Sequence, residues 1–208
     1  DQSDLDAFVA AYTGPSPADA WWRAHFDLDG YYSFRAIVEG THLYDIGDGS
    51  NYLYYRDPAT GRWAILPEAA DLTWADTMPG DGAEPFVGRV LSRPAFALEY
   101  GNRVRELRDL LFNSDQAGQL IDEAAAFIYT AGFPSFVDAD REMWDYNPIL
   151  ASAYVDPAKA GQGLFYASSP TGDFAGMVQA MKDYVAVRAA WLDTHVLTDP
   201  LVPGTPAI

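Results

Sequence analysis

Two short runs, Tyr52 to Tyr55 and Trp63 to Leu66, read as strands in a 208-residue chain whose other patterned segments carry helical spacing. Asp57-Pro58-Ala59-Thr60-Gly61 between them is turn chemistry, with Gly61 free to take a positive φ. A single hairpin in a helical body excludes a Rossmann sheet or a sandwich, both of which need many more strands. The fold class that follows is mainly α with one embedded β-hairpin, an α+β arrangement.

The helical spacing predicts the following order. Residues 4–12 form a first helix, with Ser3 as its cap, and Gly14-Pro15-Ser16-Pro17 breaks it. A second helix carries Trp21, Trp22 and Phe26. A third spans 28–41, with Tyr31, Phe34, Ile37 and Val38 on one face. After the hairpin and a polar loop over 75–84, Phe86, Val87, Val90 and Leu91 make a short face, and Pro94 opens a longer helix through Leu111. Ser114 caps a helix that covers Leu120 to Ile128, and a last helix spans 172–195. Residues 133–171, rich in Pro, Gly and aromatics, read as a long loop insertion in a body spanning 1–195, and 196–208 as an extended tail. With Phe136, Trp144, Tyr146, Tyr154, Phe165 and Tyr166, the insertion has more rings than a solvated loop needs. It is read either as a surface for a protein partner or as simple packing.

Charge and composition remove several functions. The formal charge is −17 and the isoelectric point about 4.2, so nucleic-acid backbones and anionic lipid are repelled. No nucleic acid and no membrane span are expected, since no apolar run has the length to cross a bilayer. The absence of cysteine rules out disulfides, zinc–thiolate sites and cysteine nucleophiles. No Gly-x-Ser-x-Gly elbow occurs. His25, His42 and His195 are scattered and read as capping or surface residues. The chain opens on Asp1 rather than Met, which reads as a processed or truncated start and points to an extracellular, periplasmic or cell-surface setting.

The stretch from His42 to Trp74 carries the candidate chemistry. An acidic, glycine-bearing loop with Asp45 and Asp48 ends in Asn51; the hairpin follows; an isolated Asp71 comes after it. Phosphoryl transfer needs one carboxylate facing the attacking hydroxyl, and an Asn and a second carboxylate to hold Mg²⁺. The order here matches that template, while the spacings match it loosely: His42 precedes Asp45 by three positions and Asn51 follows it by six. The same residues are also ordinary turn formers. The loop lacks the alternation and closing Glu of an EF-hand Ca²⁺ site. Nothing in the sequence fixes a separation between Asp45 and Asp71 that would make them a glycosidase pair.

The run N-Y-L-Y-Y-R-D-P-A-T-G-R-W-A-I-L-P, followed by D-L-T-W, resembles the core motif of the CotH family, spore-coat-associated proteins with a kinase-like fold. Leu91-Ser92-Arg93-Pro94-Ala95-Phe96 and the closing helix around Met181-Lys182-Asp183-Tyr184-Val185-Ala186-Val187-Arg188 resemble the family's flanks. The resemblance implies a protein-kinase-like helical (C-terminal) lobe, with ATP and Mg²⁺ (or Mn²⁺ or Ca²⁺) as cofactors. It also implies transfer of phosphate to Ser or Thr of secreted or coat proteins; some relatives serve as surface adhesins. By position, Asp45 would be the catalytic carboxylate, Asn51 and Asp71 the ligands of the metal–nucleotide, and Asp48 a further metal carboxylate. Two departures favour a degenerate, structural or adhesive subunit of a surface assembly over an active enzyme. Where the family motif reads Pro-Trp-Asp-x-Asp, this chain has Pro67-Glu68-Ala69-Ala70-Asp71, and the methyl group of Ala69 cannot coordinate a cation. Both lysines, Lys159 and Lys182, lie after the hairpin, so no upstream Lys grips the nucleotide phosphates within these residues.

Overall fold

The computed structural model describes residues 2–47, 49–74, 80–131, 134–144 and 171–204. The element order is α1 (Ser3–Thr13), α2 (Asp19–His25), α3 (Leu28–Thr41), β1 (Tyr52–Arg56), β2 (Trp63–Pro67), α4 (Val87–Val90), α5 (Pro94–Leu111), α6 (Ser114–Ile128), α7 (Phe136–Trp144) and α8 (Phe174–His195). Among the described residues, helices with one antiparallel hairpin are the expected class. The chain forms two compact units, one from residues 1–112 and 188–208 and the other from 113–187, so the tail belongs to the first unit.

The first unit is built on aromatic packing. The β1–β2 register pairs Tyr52 with Pro67 and Arg56 with Trp63. Alternation then turns Tyr54 and Ile65 inward and leaves Leu53, Tyr55 and Leu66 exposed. Against the inner face lie Phe8 of α1, stacked on Trp63 at 4.3 Å, and Phe86, 5.3 Å from Tyr54 and 5.4 Å from Phe26. Trp22, Phe26, Tyr31 and Phe86 are all at most 1% exposed, which makes this cluster the main apolar anchor of the hairpin. The far turn is locked as its sequence predicts. Asp57 accepts from the Ala59 N–H at 2.9 Å and from the Thr60 hydroxyl at 2.7 Å, and Gly61 takes φ 71°.

α3 starts under Asp27, whose carboxylate accepts from the Gly30 N–H at 3.3 Å, and stops at His42, which is left-handed at φ 56°. α5 begins at Pro94, the residue type that suits a first turn. The preceding Arg93 ties that start to the α1–α2 connection through Asp19, Pro17 and Ser16. Arg89 closes the end of α1 by donating to the carbonyls of Ala11 and Gly14 at 3.1 and 2.8 Å. The R-P segment thus fastens helix ends.

In the second unit, Lys182 pairs with Asp122 at 2.5 Å, and Tyr129 packs on Phe174 at 5.0 Å. Four sequence expectations are corrected. α1 begins at Ser3 itself, behind Gln2, with no side-chain cap. The cap of α6 is Asn113 rather than Ser114, because the Asn113 side chain reaches the N–H groups of Asp115 and Gln116. The segment read as a continuous loop over 133–171 contains α7; residues 145–170 lie outside the described residues. The tail is not extended throughout: Asp199 turns it, accepting from the N–H groups of Leu201 and Val202, and Val202 is buried. Among the described residues no helix is long and apolar enough to cross a membrane.

Candidate functional site

The acidic loop leaves α3 at His42 and returns to the hairpin at Asn51. Backbone bonds from Gly47 and Gly82 converge on the Tyr44 carbonyl at 3.3 and 3.1 Å, folding the 80–82 segment onto the loop. Gly80, at φ 100°, is what permits the approach, since a Cβ there would sit 1.9 Å from the same carbonyl oxygen. The Tyr44 ring stacks on His42 at 3.9 Å. Its hydroxyl donates to Glu39 at 2.7 Å and accepts from Arg188 at 3.3 Å. Burial, ahead of the Glu39 charge, raises the Tyr44 phenol above its ordinary pKa, so it stays a donor at neutral pH.

Asp45 and Asn51 are brought together. The Asn51 side-chain N–H groups donate to the Asp45 carbonyl at 2.5 Å and to its carboxylate Oδ2 at 3.0 Å. Asn51 is left-handed, φ 64°, and its own carbonyl accepts from the Glu68 N–H at 3.0 Å. With the amide nitrogen committed to Asp45, the Oδ1 atom is the side-chain group that Asn51 has to offer a hard cation. Asp45 keeps one carboxylate oxygen outside that pair.

Asp71 is placed differently. It is exposed, in a stretch fastened at one end by Glu68 to Asn51 and at the other by the Trp74 N–H to the Thr41 carbonyl at 2.9 Å. No hydrogen bond joins its carboxylate to Asp45 or Asn51. Ala69 is half-buried in the same stretch, and Glu68 is exposed. Asp48 lies outside the described residues. Among the described residues no group of three or more His, Cys, Asp or Glu side chains is arranged to hold a metal ion. The structure thus joins Asp45 to Asn51 and leaves Asp71 apart from them in its bonding.

Backbone strain gathers here. Among the described residues, the non-glycine positions with positive φ are His42, Asn51 and Trp74, at 56°, 64° and 66°. All three bracket the loop and the strand exit. Such conformations cost of order 1–3 kcal/mol for residues other than Gly, Asn or Asp, and persist where the surroundings enforce them.

Sequence reasoning missed two carboxylates. Asp81 shares an open cavity of about 480 Å³ with Tyr44, Asp45, Gly47 and Gly80, and its Oδ1 accepts from the Ala83 N–H at 3.0 Å. Glu84 is 6% exposed and accepts from the Tyr31 hydroxyl, the Tyr54 hydroxyl at 2.8 Å and the Phe86 N–H at 2.9 Å. It joins α3, β1 and the approach to α4. Burial, ahead of the Glu84 charge, pushes the Tyr31 phenol well above its ordinary pKa. A Gly-flanked Asp and an acidic residue just before a Pro-aromatic pair were the available signals, and both are common.

A larger cavity, about 770 Å³, lies away from the loop, between the start of α3 and α5. Its cations are already engaged, Arg23 with Glu99 at 2.5 Å and Arg103 with Glu106 at 2.5 Å. The Asp45 side has the convergent chemistry and the strain, so it is the better site despite its smaller volume.

Comparison with known proteins agrees with this reading of the fold. No curated protein matches the chain. A family model described as CotH kinase protein matches residues 1–192, most of the chain, and the protein belongs to that kinase-like family.

Proposed function

We propose that the Asp45–Asn51 loop serves metal-dependent phosphoryl transfer from ATP to a Ser or Thr hydroxyl of an exported or coat protein, with a metal grip weakened by Ala69. The carrying observation is the orientation of Asn51. Its amide nitrogen is fixed on Asp45, which supports a role for the amide oxygen as a cation ligand at a fixed distance from Asp45. The free oxygen of Asp45 would accept the proton of the attacking hydroxyl. A Mg²⁺ or Mn²⁺ ion on Asn51 and Asp71 would neutralise charge on the transferring phosphoryl group. The remaining work of the chain is positional: the hairpin fixes Asn51 relative to the Asp71 stretch, and the left-handed turns at His42 and Trp74 fix the ends of both segments.

The test is transfer of radiolabelled phosphate from ATP by the protein at its natural length, with Mg²⁺ or Mn²⁺. Asp45→Ala is expected to lower the rate about 10²- to 10⁴-fold, with the melting temperature little changed. No transfer by the unaltered protein rejects this reading.

A second reading, a structural or adhesive subunit of a surface assembly, is favoured by Ala69. It is favoured also by the exposure of Phe127 and Phe136, 84% and 77%, in the second unit. Its test is copurification with a stable protein partner that is lost when Phe127 and Phe136 are changed to Ser.

A further inference from the structure

We propose that Tyr44 and Arg188 are positioning residues for Asp45, with Arg188 reaching Tyr44 from the last helix, 144 positions along the chain. The purpose of the clamp rests on the phosphoryl-transfer reading; its existence as a mechanical device does not.

Tyr44 is gripped on every polar atom beyond its own N–H. Its carbonyl takes the N–H groups of Gly47 and Gly82, and its hydroxyl lies between the Glu39 carboxylate, 2.7 Å away, and Arg188 Nη2, 3.3 Å away. Glu39 is in turn held on its other oxygen by Arg35 at 2.9 Å, and Arg35 donates also to the Gly82 carbonyl. Arg188 donates through Nε to the Glu39 backbone carbonyl at 2.6 Å, and its guanidinium lies 3.7 Å from the centre of the Trp191 ring. Both arginines are 3% exposed. Two buried guanidinium groups therefore converge on one carboxylate and one phenol, and the residue so held is the neighbour of Asp45.

The planar guanidinium of Arg188 serves the Glu39 carbonyl and the Tyr44 hydroxyl at once while stacking on Trp191, a geometry an ammonium cannot match. The Tyr44 hydroxyl is the link that a phenylalanine lacks, while the ring contact on His42 and the backbone bonds would survive the change. Once the phenol is released, the Asp45 backbone is left with the Asn51 buckle and the Gly80–Gly82 contacts. A shift of this order at a reacting group is enough to cost about tenfold or more in rate without altering how substrate binds.

The experiment compares the natural-length protein with Tyr44→Phe and Arg188→Lys, well below their melting temperatures. Amide hydrogen exchange across 45–51 is expected to quicken about tenfold in both variants, with 52–56 and 63–67 unchanged. In phosphate transfer with Mn²⁺ and ATP, kcat is expected to fall about tenfold while KM for ATP stays within about twofold. Wild-type exchange in the folded variants overturns the proposal. So does a fall in kcat without faster exchange, or faster exchange with kcat unchanged. If the unaltered protein transfers no phosphate, the phosphoryl-transfer reading fails by itself and exchange alone decides the clamp. If Tyr44→Phe does not fold, Arg188→Lys carries the test.

Discussion

The two sides of the candidate site are built to different standards. The loop side, residues 42–51, is fastened by side chains from α3 and α8, by the 80–82 segment and by the Asp45–Asn51 buckle. The strand-exit side, 68–74, is tied by backbone bonds from Glu68 to Asn51 and from Trp74 to Thr41 and by the Thr73 hydroxyl on the Ala70 carbonyl, with Asp71 exposed and Ala69 half-buried between. Fixing a loop costs about 1–2 kcal/mol of backbone entropy per residue, and burying two arginines costs desolvation that their partners must offset, so the loop side is an expensive structure. On the phosphoryl-transfer reading proposed above, this contrast is what a held base beside a weakened cation grip would look like.

The largest test removes the buried carboxylate that joins α3 and β1 to the approach to α4. Glu84→Ala deletes the acceptor of two phenols and an N–H in a site that is 6% exposed. Removing the shared acceptor from this buried network is expected to cost about 3 kcal/mol, read as a lowered urea midpoint at unchanged slope. Asp4→Ala, which breaks the Asp4–Arg56 pair whose side chains are both 41% exposed, should cost less than about 1 kcal/mol. Equal losses from the two would mean that Glu84 is not a structural peg.

The next test rebuilds the thin side. Ala69→Asp adds a carboxylate to the 68–74 stretch, where the surroundings are half-open and the charge keeps much of its water. Mn²⁺ affinity measured by calorimetry, and the transfer rate with it, are expected to rise about tenfold or more. Asp71→Asn in that background should return both toward the starting level. An unchanged affinity would show that the strand exit does not face the cation at all.

The sequence displays the two sides unequally, for a physical reason. The hairpin, its turn at Asp57–Gly61 and the span of α3 follow from local propensity and periodicity, and they appear where expected. Asp45 and Asn51 are legible because the segment between them is short and polar and ends at a strand. Glu84 and Gly82 are not: their partners Tyr31 and Arg35 lie 53 and 47 positions away, in a segment without period. The clamp on Tyr44 is invisible for the same reason, since Arg188 looks like one more charge on a helix. α7 did leave a local mark. Ser135 and Asp138 exchange cap bonds, with Ser135 N–H donating to Asp138 at 2.9 Å, but the aromatic and Pro-rich surroundings hide it.

The smallest effect concerns the far end of the hairpin, which serves as the control for both sides. The Ala59 N–H, followed by the Thr60 hydroxyl, holds the Asp57 carboxyl below its ordinary pKa. A depressed folded pKa contributes stability that is fully present above the unfolded value, near 4, and is lost as the pH falls through the folded value. The turn at 57–61 should therefore loosen in acid below about pH 4 and be indifferent between pH 5 and 8. Asp57→Asn should remove that acid sensitivity from amide exchange at 57–62 and leave exchange at 45–51 as it is. The turn bonds are local to Asp57–Arg62, whereas the loop is held by Glu39, Arg188 and the 80–82 segment. Acid loosening of 45–51 that tracks Asp57 would mean the hairpin transmits strain along its length, and that the two ends do not stand independently.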